Sequence, residues 1–334
     1  MSAPGWLKPV KGGLYCAPGD FYVDPTRAVE RAVITHGHAD HARPGHARVL
    51  ATAETLAIMA ARYDGEDATG HQTLAYGETV AIGDVKVRLI PAGHVLGSAQ
   101  VVMEYQGQRI VVSGDYKRRR DPTCAGFEVE PCDLFITEAT FGLPVFRHPD
   151  DGEELAKLLD SREVFPERAH LVGAYTLGKA QRIILRLREL GYDRPIYLHG
   201  ALDAINAVYA RFGIDLGDLR PVMETEKSQM TGEIVVAPPA TLNERWSRRL
   251  PDPVTVFASG WMRVRARARQ RAVELPLVIS DHADWDELNA TLDDIAAPHV
   301  WVTHGAEEAL VHAATSRGFE ARALAMVGYE DDAE

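Results

Sequence analysis

Three histidines and one aspartate are packed into six residues of this chain, in the segment THGHADH. Imidazole nitrogens and carboxylate oxygens are the ligands that zinc and related divalent metals take in proteins. His36 and His38 would point the same way in extended backbone, because side chains alternate with period two. Asp40 and His41 follow small residues that let the backbone turn tightly. The segment therefore predicts a loop that presents ligands to two adjacent metal ions, and the alternative is a histidine-rich surface loop.

Further potential ligands follow predicted strands along the chain. A residue at a strand end is often an ordinary core or turn residue, but several in succession indicate one site at the edge of a sheet. His94 would complete a three-nitrogen set with His36 and His38, and Asp115 is the natural bridge between two ions. The candidates that follow predicted strands are His94, Asp115, Glu138, His282 and His304.

The composition is that of an ordinary soluble protein with room for two domains. The chain has 334 residues, of which 46% are hydrophobic and 25% charged, and its net charge is −12. The acidic balance taken alone disfavours a nucleic-acid binder, but the charge is unevenly placed. Three cysteines without CxxC spacing predict no disulfide framework and a cytoplasmic location. We expect no signal peptide and no membrane span, since no apolar run is long enough.

The pattern of predicted elements changes near residue 150. Before it, short alternating strands and hairpins dominate, while after it strands alternate with helices, as in a parallel α/β unit. A strand near residue 277 then returns to the earlier pattern. The sequence therefore predicts an α/β protein in which one domain, formed by residues 1–148 and 276–334, contains a second domain, residues 149–275, as an insertion.

The motifs resemble those of a known family. The HxHxDH segment resembles the signature of the metallo-β-lactamase fold superfamily. TEATFG, SDHADW and VTHGAEEA resemble the additional motifs of the β-CASP nucleases, and AYTLGKAQR and FASGWM resemble blocks of their cap domain. Together with GLYCAPGDFYVDP, the set looks most like the bacterial ligase-associated DNA exonucleases. The resemblance implies a metallo-β-lactamase αββα sandwich with an inserted α/β β-CASP cap domain.

The resemblance also implies a dinuclear metal site, with zinc as the first choice and manganese as the alternative. Asp24, which is otherwise only a turn residue, would orient the ligand loop from behind, since metal-bound histidine usually needs a partner for its other nitrogen. Glu138 and His282 would form the catalytic pair that protonates the leaving oxygen, with Asp40 as a further catalytic group. The ligands, with Asp115 as bridge, would be His36, His38 and His94 for one ion and Asp40, His41 and His304 for the other.

Two basic runs are candidates for contact with nucleic acid. One follows Asp115 directly, and the other follows the cap motif FASGWM. Charge runs are usually solvated faces, but their place beside these motifs favours phosphate contact. The residues predicted to bind the strand are Lys117, Arg118, Lys179, Arg263, Arg265 and Arg267.

The function implied by the resemblance is hydrolysis of DNA phosphodiesters by a hydroxide held at two metal ions, as an exonuclease in DNA repair. The partners would be single-stranded DNA or DNA ends, with a functional link to an ATP-dependent DNA ligase and no membrane. The first alternative is an RNA-processing exo- or endonuclease of the same β-CASP fold, since His304 is shared with the RNA enzymes. Weaker alternatives are a small-molecule hydrolase and an inactive scaffold.

Overall fold

The computed structural model of the chain describes residues 3–65, 68–271 and 273–324. The chain divides into two compact units, Met1–Pro144 with His282–Glu334 and Val145–Asp281. The prediction that residues 1–148 with 276–334 form one domain and residues 149–275 a second, inserted domain remains a proposal. The α-helices are α1 (Ala53–Arg62), α2 (Asp151–Val164), α3 (Lys179–Glu189), α4 (Asp203–Arg211), α5 (Arg265–Arg271), α6 (Trp285–Ile295) and α7 (Glu307–Ser316).

The strands form three sheets, two in the first unit and one in the second. In chain order they are β1 (Leu7–Val10), β2 (Gly13–Cys16), β3 (Phe21–Val23), β4 (Arg31–Val33), β5 (His46–Ala51), β6 (Ala68–Thr73), β7 (Thr79–Ile82), β8 (Val85–Pro91), β9 (Ala99–Tyr105), β10 (Gln108–Val112), β11 (Leu134–Ala139), β12 (His170–Gly173), β13 (Ile196–Leu198), β14 (Leu219–Pro221), β15 (Ile234–Ala237), β16 (Val254–Ala258), β17 (Leu275–Leu277), β18 (His299–Gly305) and β19 (Glu320–Ala323).

The first unit is a sandwich of two sheets. The first sheet has the order β1-β2-β3-β4-β5-β6, and the second has the order β19-β18-β11-β10-β9-β8-β7. Apolar side chains from the inner faces of both sheets, such as Phe21 and Val33 from one and Val87 and Ile136 from the other, form one buried cluster. Alternating residues along these strands supply that cluster, because successive side chains point to opposite faces of a sheet.

Helices cover the outer faces of both sheets of this unit. Leu56 and Met59 of α1 pack with Val49 of the first sheet. Leu292 of α6 and Leu310 of α7 belong to the cluster on the outer face of the second sheet. Each helix buries the apolar stripe that its sequence periodicity provides. The layers are therefore helix, sheet, sheet and helix, and the predicted metallo-β-lactamase α/β fold is confirmed.

The second unit contains a six-stranded sheet with the order β14-β13-β15-β12-β16-β17, in which every pairing is parallel. Its four central strands, β12, β13, β15 and β16, are almost continuously buried, as expected for a parallel sheet covered on both faces. Two 3₁₀ segments, Pro239–Asn243 and Arg245–Arg249, flank Glu244, whose extended backbone separates them.

Strand direction in the second sheet of the first unit determines where loops meet. β10, β11 and β18 are mutually parallel neighbours. β9 is antiparallel to both β8 and β10, so β8 runs in the same direction as β10. The carboxyl ends of β8, β10, β11 and β18 therefore lie at one edge of the sheet. In the part of the chain that the structure describes, no helix is long and apolar enough to cross a membrane.

Candidate metal centre

The predicted ligands of the first unit come together at that edge. The histidine segment lies in the loop after β4, and His94 lies in the loop after β8. Asp115 follows β10, Glu138 lies near the carboxyl end of β11, and His304 lies near that of β18. These candidate ligands thus follow strands in the sequence, and the fold brings the loops that carry them together.

A first group contains His36, His38, His94 and Asp115, whose potential ligand atoms all lie within 4.8 Å of one another. Nε2 of His94 is 3.0 Å from Nδ1 of His38. Oδ2 of Asp115 is 3.4 Å from Nε2 of His36 and 3.8 Å from Nε2 of His94. His36 and His94 are fully buried, so these atoms face one another in a site that excludes most water.

A second group contains His41, Asp115 and His304. Nε2 of His41 lies 3.4 Å from the same Oδ2 of Asp115 and 3.6 Å from Oδ2 of Asp40. Asp115 thus belongs to both groups, which is the position a bridging ligand requires. Asp40 stands at the edge of the second group, and its side chain is partly exposed.

The ionisation of these groups reflects their mutual charges. Burial acts against the charged form of Asp115, but the imidazoles of His41 and His36 outweigh it and hold the pKa of Asp115 well below its ordinary value. Burial likewise opposes charge on His41, yet the carboxylates of Asp115 and Asp40 raise its pKa well above the ordinary value. Burial and the neighbouring His41 lower the pKa of His304 to about 4. Neutral His304 and ionised Asp115 are the forms that bind a metal.

Asp24 contacts Thr35 and His41 of the loop, and its role in orienting the loop stays a prediction. Its Oδ2 accepts a hydrogen bond from Thr35 Oγ1 at 2.6 Å and lies 2.8 Å from Nδ1 of His41. Its Oδ1 accepts the backbone N–H of Thr35 at 2.8 Å. Oγ1 of Thr35 is in turn 3.0 Å from Nδ1 of His36. His36 and His41 therefore each make these contacts through Nδ1, and Nε2 of each ring faces Asp115. Sequence reasoning gave Thr35 no role, although it is the first residue of the segment THGHADH.

The donor set fits a divalent metal. Nitrogen–nitrogen and nitrogen–oxygen separations of 3.0–3.8 Å in the first group match the spacing of about 3.3 Å between ligands of a tetrahedral ion bound at roughly 2.0–2.1 Å. Several buried imidazoles and a carboxylate that face one another also need a cation or protons to balance their lone pairs. The residues present can therefore hold two divalent ions that share Asp115, and the assignment of each ligand remains a prediction.

Glu138 and His282 form a pair beside these groups. Nδ1 of His282 lies 2.9 Å from Oε2 of Glu138, and Oε1 of Glu138 accepts the backbone N–H of Tyr116 at 2.7 Å. Glu138 is fully buried, and His282 is partly exposed. Ligand atoms of both residues lie within 4.8 Å of Asp115. The ring of His282 is also 4.7 Å from that of His94. The pair therefore stands where a proton donor could serve chemistry at the first group.

Two members of the basic run after Asp115 contact groups of the first unit. Lys117 is buried, and its Nζ donates to the backbone carbonyl of His282 at 3.4 Å. The guanidinium of Arg118 pairs with Asp294 of α6 at 2.6 Å. Both side chains are engaged within the first unit, because α6 and the segment before it present oxygen atoms to this run. The assignment of Lys117 and Arg118 to phosphate contact stays a prediction.

Lys179, in the second unit, is also buried. Its Nζ lies 3.4 Å from Oδ1 of Asp281 and over the ring of Tyr175. In this position the ammonium group of Lys179 faces protein groups rather than solvent. The assignment of Lys179 to the strand stays a prediction.

The second arginine run is different, since its side chains are exposed. Arg263, Arg265 and Arg267 are all exposed, as are Arg269 and Arg271. The guanidinium carbon of Arg267 lies 3.8 Å from the centre of the Trp261 ring. Among the described residues, none of these arginines has a carboxylate partner within ion-pair distance. Their role in binding nucleic acid remains a prediction.

Residues 4–166 match the family model of the beta-lactamase superfamily domain. The chain is 28% identical over 328 residues to "Probable DNA ligase" of Opitutus terrae, which covers 96% of this chain and 31% of that protein. It is 30% identical over 159 residues to "Probable RNase MJ4" of Methanocaldococcus jannaschii, covering 45% of this chain and 37% of that protein. It thus spans about a third of the length of these relatives.

Two further similarities bear on the fold. "Cleavage and polyadenylation specificity factor 73" of Drosophila melanogaster is 31% identical over 126 residues, covering 37% of this chain and 18% of that protein. A solved structure, "Crystal Structure of a Protein of Unknown Function from Enterococcus faecalis V583", superimposes with a TM-score of 0.57 at 14% identity. It covers 84% of this chain and 76% of that chain. The structural similarity extends across most of the chain, well beyond the residues of the family match.

Proposed function

We propose that this chain, which matches the beta-lactamase superfamily domain over residues 4–166 and is similar to proteins named as an RNase and an endoribonuclease, is a β-CASP nuclease of the metallo-β-lactamase superfamily that cuts DNA from a strand end with two divalent metals. The observation that carries the proposal is the third group of the site, in which Asp115, Glu138 and His282 meet. A phosphodiester has a poor alkoxide leaving group, so its hydrolysis benefits from a proton donor beside the leaving oxygen.

Each part of the reaction is assigned to named residues. His36, His38, His94 and Asp115 would hold one ion, and Asp115 with Asp40, His41 and His304 the other. Bound divalent ions supply activation of water near neutral pH and neutralisation of phosphate charge. Glu138 holds Nδ1 of His282, which leaves Nε2 to donate a proton to the leaving oxygen. Asp24 keeps His41 aimed at Asp115 through the contact at Nδ1.

DNA is the proposed substrate for two reasons. A relative that aligns with 96% of this chain is named a probable DNA ligase, which supports a nuclease partnered with DNA ligation in repair. The exposed arginines of α5 and the preceding turn provide a basic surface on an otherwise acidic protein. Like charges at i, i+4 spacing, such as Arg265 with Arg269, destabilise an isolated helix. A phosphate backbone lying on α5 would relieve that repulsion and release counterions.

An RNA substrate is the second candidate. Relatives named RNase or endoribonuclease align over 35% to 45% of this chain, which supports RNA as the nucleic acid. A histidine is present at position 304, the feature shared with the RNA-processing enzymes. This candidate keeps the same metal site and the same Glu138–His282 pair, so the two differ only in the nucleic acid bound.

The decisive experiment compares matched substrates. End-labelled DNA and RNA of one sequence, single- and double-stranded, would be incubated with zinc, manganese or magnesium and with a chelator. We expect DNA to be shortened from one end, faster than RNA, and only with metal. Asp115→Ala, prepared in parallel, controls for contaminating nucleases. Faster cleavage of RNA would favour the second candidate, and no cleavage of either with any metal would refute the nuclease proposal.

A further inference from the structure

We propose that Lys117 and Arg119 are positioning residues that hold the start of the His282 segment, residues 282–287, so that the His282 ring meets Glu138. This inference rests on the proposed function, because it assigns the basic run after Asp115 to the geometry of the proton donor. It replaces strand contact as the reason for that run. The contacts that support it all lie within the first unit.

Tyr116 joins the two halves of the catalytic pair through its backbone. Its N–H donates to Oε1 of Glu138 at 2.7 Å. Its carbonyl accepts the N–H of Ala283 at 2.6 Å. One residue therefore fixes both the carboxylate and the main chain beside His282. Since Asp115 precedes Tyr116 directly, the shared metal ligand and the proton donor are held by one short stretch of chain.

Lys117 adds a contact at His282 itself. Its Nζ donates to the carbonyl oxygen of His282 at 3.4 Å, and the side chain is almost completely buried. Burying an ammonium group is costly unless polar groups surround it. The carbonyl oxygen that Lys117 contacts is two bonds from the Cα of His282. A buried Lys117 can therefore hold the backbone of His282 in place, which a solvent-facing lysine could not do.

Arg119 holds the beginning of α6. Its guanidinium donates to Oδ2 of Asp284 at 2.5 Å and lies 3.8 Å from Glu287. The other oxygen of Asp284 caps α6 by accepting the N–H groups of Asp286 and Glu287, both at 3.0 Å. Glu287 in turn accepts the N–H groups of Arg118 and Arg119 at 3.1 and 2.8 Å. The segment that carries His282 is thus tied at both ends.

Charge explains why Arg119 matters. Asp284 and Glu287 are both buried, at 0% and 8% exposure, and stand side by side at the start of α6. Without a cation, two buried carboxylates repel one another and move toward water. A displacement of about 1 Å at His282 would be enough to reduce the rate by roughly 100-fold.

The test compares three substitutions with a matched control. Arg119→Met and Lys117→Met remove the charged groups while keeping much of the side-chain bulk. Arg119→Lys keeps a charge that reaches one carboxylate at a time and should restore part of the rate. Arg317→Met is the matched control, since Arg317 also pairs with a carboxylate of α6, Asp293, at 3.2 Å. Asp293 lies near the end of α6 that is opposite the His282 segment.

We expect Arg119→Met to lower kcat on DNA by roughly 10- to 100-fold, with unchanged KM, unchanged salt dependence of DNA binding and unchanged metal content. The loss should be small on bis(4-nitrophenyl) phosphate, whose leaving group hardly needs a proton. Lys117→Met should behave alike but more weakly, and Arg317→Met should match the wild type. A raised KM with a reduced salt slope and intact kcat would instead make Arg119 a strand contact and overturn the proposal.

A second readout separates this inference from the proposed function. Hydrogen exchange at the Ala283 amide depends on its bond to the Tyr116 carbonyl, a backbone group that every variant retains. We expect faster exchange in the peptide containing Ala283 for Arg119→Met and Lys117→Met, and no change for Arg317→Met. This result would hold even if the chain hydrolysed no DNA. Unchanged exchange in the first two variants would refute the positioning role, whatever the activity.

Discussion

Replacing Glu138 by Gln tests the proton-donor pair with the least change in shape. In the wild type, Oε2 of Glu138 lies 2.9 Å from Nδ1 of His282, and Oε1 accepts the Tyr116 N–H. Glutamine fits the same buried space, but it carries no charge. A hydrogen bond to a charged group contributes about 1.5–3 kcal/mol, against about 0.5–1.5 kcal/mol for a neutral one.

The expected loss follows from that difference. About 1–2 kcal/mol of stabilisation of the imidazolium form would be lost, which corresponds to roughly 5- to 30-fold in rate. We therefore expect Glu138→Gln to slow hydrolysis of DNA by that factor while binding two metal ions. Bis(4-nitrophenyl) phosphate should be hydrolysed at nearly the wild-type rate, because its leaving oxygen is already a weak base.

Steady-state rates on both substrates, with elemental analysis of the same samples, check the prediction. The ratio of the two losses is the informative quantity, since a general fault in folding or metal loading slows both substrates alike. An equal loss on the two substrates, or loss of a metal ion from Glu138→Gln, would show that Glu138 acts as a metal ligand rather than as the partner of His282.

Three further sets of substitutions test the site and its surroundings. Asp115→Ala should lose at least one of two bound ions per chain, because both ligand groups share Oδ2 of Asp115; elemental analysis that finds two ions would contradict the bridge. Joint replacement of Arg265, Arg267 and Arg269 by Ala should weaken DNA binding. It should also reduce the slope of log K against log salt by about 0.7–0.9 for each phosphate that the arginines no longer neutralise. The control Arg220→Ala, at an arginine paired with Asp218, should leave the slope unchanged. Burial lowers the pKa of His170 from its ordinary value of 6.5. Below about pH 6.5 the unfolded chain therefore binds more protons at this residue than the folded chain, and the free energy of unfolding decreases as the pH decreases. Urea unfolding at pH 7.5 and 5.5 should therefore show a smaller loss of stability for His170→Gln than for the wild type, and equal losses would be evidence against this linkage.

The parts of the site that could be predicted were those encoded by local spacing. His36, His38 and His41 lie within one loop, and the strands that bring His94 and Asp115 to it have clear alternation. The rule that parallel strands share an edge places His94 and Asp115 together, whereas the histidine loop follows β4 of the other sheet and reaches them through the packing of the two sheets. Local pattern also encodes the cap of α6, since Asp284 and Glu287 have the spacing of a capping box.

The parts that could not be predicted depend on partners distant in sequence. Lys117 and Arg119 appeared as a basic surface run, because their partners near His282 lie more than 160 residues away. The helix α5 was not predicted either, since its arginines repel one another at i, i+4 spacing. Its stacking contacts, such as Arg267 on Trp261, arise only once the chain is folded.

Anomalous diffraction at the zinc edge, from crystals grown with zinc, tests whether two metal sites share Asp115. We predict two anomalous peaks about 3.5–4 Å apart, one among His36, His38 and His94 and the other between His41 and His304, with Asp115 in contact with both. A single peak, or peaks away from Asp115, would contradict the account.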